Sequence, residues 1–131
     1  EQLKSKFPGV PLVQIGMEDT RSVNATIDLR GKTTFRQAAL LMRHSSLFVG
    51  TEGGLMHAAK ATGANALILW GGVTLPEFAG YPGTQRVICY YVPCAPCGNL
   101  GWCDHDHICM RSIEVPQVLS EIKQALQRRV N

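Results

Sequence analysis

The stretch from Ser46 to Trp70 constrains the fold more than any other part of the chain. Ser46 to Val49 reads as a short buried strand, Gly50-Thr51-Glu52-Gly53-Gly54 as a loop, and Leu55 to Thr62 as a helix. Gly63 stands at the position where a left-handed residue ends a helix, and Ala66 to Trp70 is an unbroken apolar run of strand length. Strand, tight loop, helix and second strand form a parallel crossover unit. Parallel strands need cover on both faces, which directs the chain to an α/β architecture.

The flanking segments extend this pattern. Glu1 to Phe7 is helix-like and ends at Pro8-Gly9; Val10 to Ile15 is an apolar run closed by Gly16, and Val23 to Leu29 is a weaker strand ending at the turn Arg30-Gly31-Lys32. Thr34-Phe35-Arg36-Gln37 matches a capping box, and Phe35, Ala38, Ala39 and Met42 recur on one face, so a helix is expected from Thr34 to His44. Gly71 to Gly83 reads as a long loop with one helical turn at Pro76 to Ala79, and Arg86 to Val92 as a strand covered on both sides. Val115, Val118, Leu119, Ile122, Ala125 and Leu126 mark a final helix. Pro116 lies in its first turn and Arg128-Arg129 at the end, where the helix dipole favours cations. A helix ahead of the first strand gives the expectation that the chain is part of a larger α/β protein.

Composition removes several classes. At 131 residues the chain is one domain or part of one, and 45% hydrophobic with 18% charged residues excludes a disordered segment. No apolar stretch approaches the roughly 20 residues of a membrane helix. Net charge is +3, and the 13 basic residues are dispersed, with no run longer than Arg128-Arg129, unlike the dense basic footprint of a nucleic-acid binder. With no signal-peptide pattern at its start, the chain is expected to be cytoplasmic.

The Val49 to Ala59 segment carries the chemistry. Small residues between strand and helix let a ligand approach the backbone, and the first helical amides lack internal partners and point outward at the positive dipole end. That combination suits a phosphate or pyrophosphate. The glycines spell neither a Walker loop nor the dinucleotide fingerprint. Glu52 either caps the helix or turns aside to accept sugar or ribose hydroxyls, leaving the Gly53 and Gly54 amides for phosphate. His57, one turn into the helix, is either a core histidine or a donor to a phosphate oxygen.

Five cysteines are many for this length, and four form the set Cys94-x2-Cys97-x5-Cys103-x5-Cys109. Four thiolates suit tetrahedral zinc or iron, with His105 and His107 as substitute ligands; free thiols or two disulfides are the alternatives. Cys89 falls in a strand and reads as a small core residue.

Taken in order, Asp28-Leu29-Arg30-Gly31-Lys32-Thr33-Thr34, Leu47-Phe48-Val49-Gly50, Glu52 to Ala59, Pro93-Cys94-Ala95-Pro96-Cys97 and Cys109-Met110 resemble the C-terminal half of family-nine glycosyltransferases, the ADP-heptose lipopolysaccharide heptosyltransferases and their relatives. The resemblance implies a GT-B enzyme of two Rossmann-like domains, each a parallel sheet with helices on both faces. Residues 1–131 would be most of the C-terminal, nucleotide-sugar-binding domain, with a cysteine-rich loop at 93–110 and the acceptor domain absent. It implies that the block at residues 50–57, with Thr51, Glu52, Gly53, Gly54 and His57, meets the diphosphate and donor sugar. Glu18 would contact ribose hydroxyls and Leu29 the adenine. No catalytic base is expected here, since in the family it lies in the N-terminal domain, and in some relatives cysteines at similar positions bind iron.

The implied activity is transfer of a heptose-like sugar from an ADP-heptose-like donor to a glycan or lipopolysaccharide-type acceptor at the cytoplasmic side of the inner membrane. The family usually has Asp-Thr-Gly where this chain has Glu52-Gly53-Gly54, which leaves the donor sugar open. A non-catalytic nucleotide-binding or metal-stabilised interaction module is the alternative.

Overall fold

A computed structural model describes residues 2–127. The chain divides into two compact units, Glu1–Ala38 and Ala39–Asn131. Arg128 and Arg129, expected at the end of the last helix, lie outside the described residues.

In the first unit, helix α1 (Gln2–Lys6) precedes two short strands, β1 (Val13–Gln14) and β2 (Ile27–Asp28), which pair in parallel with Val13 opposite Ile27. Both are shorter than the sequence pattern predicts. Pro11 has no N–H to give, Asn24 takes a positive φ of 52° that interrupts any strand from Val23, and Val10, Val13, Val23 and Ile27 are exposed. The parallel path nevertheless continues past the ladder, because the Leu29 N–H bonds to Gln14 O at 2.9 Å and the Gly31 N–H to Gly16 O at 2.9 Å.

Helix α2 (Phe35–His44) crosses the boundary between the units and begins with the expected capping box. The Thr34 N–H donates to Gln37 Oε1 at 2.8 Å while the Gln37 N–H reaches Thr34 Oγ1 at 3.3 Å. Ala38 and Met42 are buried on its face, whereas Phe35, expected beside them, is exposed.

The second unit holds a three-stranded parallel sheet of order β3-β4-β5, built from β3 (Phe48–Thr51), β4 (Ala66–Trp70) and β5 (Arg86–Cys89). β4 is central, and Leu67, Ile68 and Trp70 are fully enclosed, as the unbroken apolar run requires. Helix α3 (Gly54–Ala61) is the crossover between β3 and β4 and packs on both, burying Met56, Ala58 and Ala59. Gly63 ends it at φ 68° and donates to Lys60 O at 3.1 Å. β5 stops at Cys89, three residues earlier than expected, because its partner β4 ends at Trp70, opposite Cys89.

Three further helices complete this unit. α4 (Pro76–Ala79) is the expected single turn. α5 (Ile108–Arg111), within the cysteine loop, was not legible from periodicity because it is only one turn long. α6 (Val115–Gln127) buries Ile122 and Ala125 and is tied to β5 by an Arg86–Glu121 ion pair at 3.3 Å.

The turn after α4 is packed tightly against the core. A Cβ on Gly80 would stand 2.8 Å from the Pro76 carbonyl oxygen and 2.9 Å from the buried Trp70 ring. Gly80→Ala is therefore expected to lower stability by about 1–3 kcal/mol through overpacking, seen as a reduced urea midpoint with an unchanged m-value. An unchanged midpoint would mean that the Trp70 packing is looser than described.

Candidate functional site

β3 carries the chain to Thr51, so the loop before α3 is only Glu52 and Gly53, shorter than the five residues predicted. Gly53 takes φ 134° and ψ −167°, a region that is essentially closed to any residue with a Cβ. This conformation turns a strand into a helix in two residues and places the start of α3 at the carboxyl edge of the sheet. No side chain caps the helix. The amides of Gly54, Leu55 and Met56 therefore have no partner from the helix itself. Thr51, Gly53 and Gly54 are exposed, and a Cβ built on Gly53 would meet nothing within 4 Å. The seat is open, not filled by the protein's own side chains.

Glu52 does not cap the helix. Its carboxylate turns toward the end of β4, where it accepts the Gly71 N–H and lies 3.5 Å from the donating Thr74 hydroxyl. Gly71 must be small for this to happen, since a Cβ there would stand 2.9 Å from Glu52 Oε1. Burial raises the Glu52 pKa above its ordinary value, and the two hydrogen bonds only partly oppose it. A half-buried acceptor thus stands beside the open amides without occupying them.

His57 is exposed, so it is not a core histidine. Its Nδ1 lies 2.9 Å from the Tyr81 hydroxyl, with the two rings edge to face at 5.6 Å. Lys60, on the same face of α3, holds its ammonium 5.7 Å from the centre of the Tyr81 ring. Tyr81 escaped sequence reasoning because it is 24 residues away in a loop rich in glycine and proline; only the Tyr81-Pro82-Gly83 turn signal marked the place.

The first unit holds the other two expected donor contacts. Glu18 is exposed in the turn after β1, and its Cβ would stand 2.9 Å from a Cβ placed on Gly31. Leu29 is half-buried just past β2. Sequence reasoning missed a clamp in the same unit. Arg30 grips Asp28 with Nε at 2.9 Å and Nη2 at 2.7 Å while its Nη1 donates to the Thr20 carbonyl. The hydrogen bonds from Arg30 hold the Asp28 carboxyl down at about 2.

The cysteine loop departs from the four-thiolate expectation. Among the described residues no three His, Cys, Asp or Glu side chains converge where a metal ion could sit, and all five cysteines are free. The thiols answer to different parts of the structure. Cys97 is exposed, and the backbone amides of Cys97 and Gly98 bond to Gly72 O at 2.8 Å and Val73 O at 3.0 Å. Cys109, on α5, would lie 3.3 Å from a Cβ on Gly72, and Cys103 Sγ accepts the His107 N–H at 3.3 Å. Cys94, Cys97, Cys103 and Cys109 are thus not gathered into one ligand group among the described residues. Cys89 is half-buried, close to its expected role.

The family model for glycosyltransferase family 9 (heptosyltransferase) matches residues 15–101, well over half of the chain. The chain belongs to this family. The family-nine fold is visible in solved structures too. An ADP-heptose lipopolysaccharide heptosyltransferase II from E. coli superposes with a TM-score of 0.74 at 22% identity, covering 99% of this chain and 40% of that one. The iron-containing dodecameric glycosyltransferase TibC from enterotoxigenic E. coli H10407 gives a TM-score of 0.67 at 24% identity, covering 86% of this chain and 32% of that one. The chain thus spans well under half the length of either. No curated protein matches it. The parallel α/β arrangement is that of the GT-B heptosyltransferase fold.

The thiols provide a direct check on the cysteine loop. Burial, and secondarily the negative charge of Glu77 and Glu52, pushes the Cys89 thiol up and makes its reactive thiolate scarce, whereas Cys97 is exposed to reagent. Peptide mapping after brief alkylation at pH 8 is expected to show Cys97 modified well before Cys89, with all five thiols reactive in time and less than one zinc or iron per chain. One metal per chain with Cys94, Cys97, Cys103 and Cys109 protected would contradict the described arrangement.

Proposed function

We propose that this chain is the donor-binding part of a glycosyltransferase that moves a heptose-like sugar from a nucleotide-diphosphate donor to a glycan or lipopolysaccharide-type acceptor. The open, uncapped start of α3 at the carboxyl edge of β3, with the Glu52 carboxylate turned away from it, carries the reading. Membership of family nine supports it.

In this reading the Gly53 and Gly54 amides, with Thr51, receive the diphosphate of an ADP-like leaving group. Negative charge grows on that group as the anomeric carbon is displaced, so the helix start and His57 stabilise the transition state more than the ground state. Glu52 accepts hydroxyls of the donor sugar. For the first unit, the resemblance proposes Glu18 as a ribose contact and Leu29 as an adenine contact. The acceptor's general base belongs to the part of the enzyme that carries the acceptor site. The proposed setting is the bacterial cytoplasm beside the inner membrane. No helix among the described residues is long and apolar enough to cross a membrane.

Calorimetric titration of the intact protein with ADP and with an ADP-sugar tests this. Both are expected to bind, and Glu52→Gln is expected to weaken the ADP-sugar by about tenfold, as for loss of a charged acceptor, while changing ADP affinity by less than about twofold. Absence of binding at millimolar ADP would overturn the donor-site reading. Equal loss for both ligands would overturn the role of Glu52.

A further inference from the structure

His57 is the one side chain at the mouth of the α3 seat with two usable ring nitrogens, and the fold commits one of them. Nδ1 is 2.9 Å from the Tyr81 hydroxyl. A phenol donates more readily than it accepts, since its lone pair is drawn into the ring, and imidazole nitrogen is the better base of the two. The tautomer of a histidine is set by the bond its other nitrogen makes. Donation from Tyr81 to Nδ1 therefore leaves the proton on Nε2. Among the described residues Nε2 has no hydrogen-bond partner.

The direction of Nε2 follows from helix geometry. Helical side chains lean back over the preceding turn, and His57 is the residue whose N–H closes on Gly53 O at 3.3 Å. A side chain at this position leans toward the first turn of α3, the turn whose amides lack helix partners.

Tyr81 is itself held in place from several sides. The N–H groups of Thr84 and Gln85 bond to the Tyr81 carbonyl at 3.1 and 3.0 Å, which closes a turn behind it. Gln85 is buried, and its Nε2 donates to Met56 O at 3.0 Å, anchoring that turn to α3 one residue before His57. The Lys60 ammonium stands over the ring and the His57 ring meets it at a right angle. Such a braced hydroxyl loses little freedom on bonding, so the orientation it imposes persists.

We propose that Tyr81 is a positioning residue for His57, its hydroxyl holding Nδ1 as acceptor so that Nε2–H faces the diphosphate of the donor at the start of α3. This rests on the donor-site reading given above. Tyr81 does not itself touch the ligand in this account. It removes the alternative tautomer, which would present a lone pair to an anion, and so keeps a donor where negative charge gathers.

The test is Tyr81→Phe in the intact protein, which keeps the ring and its packing and removes only the hydroxyl. Ring-nitrogen NMR shifts of His57 are expected to report a protonated Nε2 and an accepting Nδ1 in the wild type. In Tyr81→Phe they are expected to move toward a tautomer mixture. ADP is expected to bind about three- to tenfold more weakly to Tyr81→Phe, the range for loss of one ordered hydrogen bond, and the same substitution in a His57→Ala background is expected to cost nothing further. Unchanged ring-nitrogen shifts in Tyr81→Phe, or an equal affinity loss with and without His57, would overturn the proposal. If the wild type binds no ADP, the donor-site reading and the ligand half of this proposal fall together, while the ring-nitrogen shifts still judge the Tyr81–His57 link by themselves.

Discussion

The bond between the Gly71 N–H and the Glu52 carboxylate decides what the carboxyl edge of the sheet can do. A carboxylate one residue before the Gly53 cap position would ordinarily fold back onto the first amides of α3, where the dipole favours it. Held instead against the end of β4, it leaves those amides bare. The cost is partial desolvation of the charge, visible as the raised Glu52 pKa. Two glycines make the arrangement possible for different reasons: Gly53 because its backbone enters a region closed to other residues, Gly71 because a Cβ would displace the carboxylate.

The cysteine loop is linked to this edge through the neighbouring glycine. Gly72 receives the Cys97 amide through its carbonyl, and Cys109 packs against its Cα, while Met110 lies beside Gly71. The loop thus covers the outer side of the segment that seats Glu52. Of its thiols, Cys109 packs at this segment while Cys97 is exposed.

The central crossover was legible because its signals agree across levels. An unbroken apolar strand, small residues at the strand–helix junction and Gly63 at the helix end all point to the same unit, and the reciprocal bonds of Thr34 and Gln37 follow from their three-residue spacing. The strands of the first unit were overextended because hydrophobic runs do not report a backbone break at Asn24 or a missing donor at Pro11. The site divides in the same way. Contiguous residues Thr51 to His57 could be read from order alone, whereas Tyr81, Gly71 and Thr74 reach it through the fold. Four cysteines within sixteen positions suit a metal by spacing, but spacing in sequence says nothing about the directions in which side chains point, and among the described residues they form no ligand group.

Open amides at the start of α3 that receive a diphosphate must respond to it. Backbone amide NMR of the intact protein, titrated with ADP and separately with adenosine, addresses those amides directly. ADP is expected to shift the Gly53, Gly54, Leu55 and Met56 amides strongly, and adenosine to leave them nearly unmoved. ADP binding that perturbs other residues but not these four would contradict it.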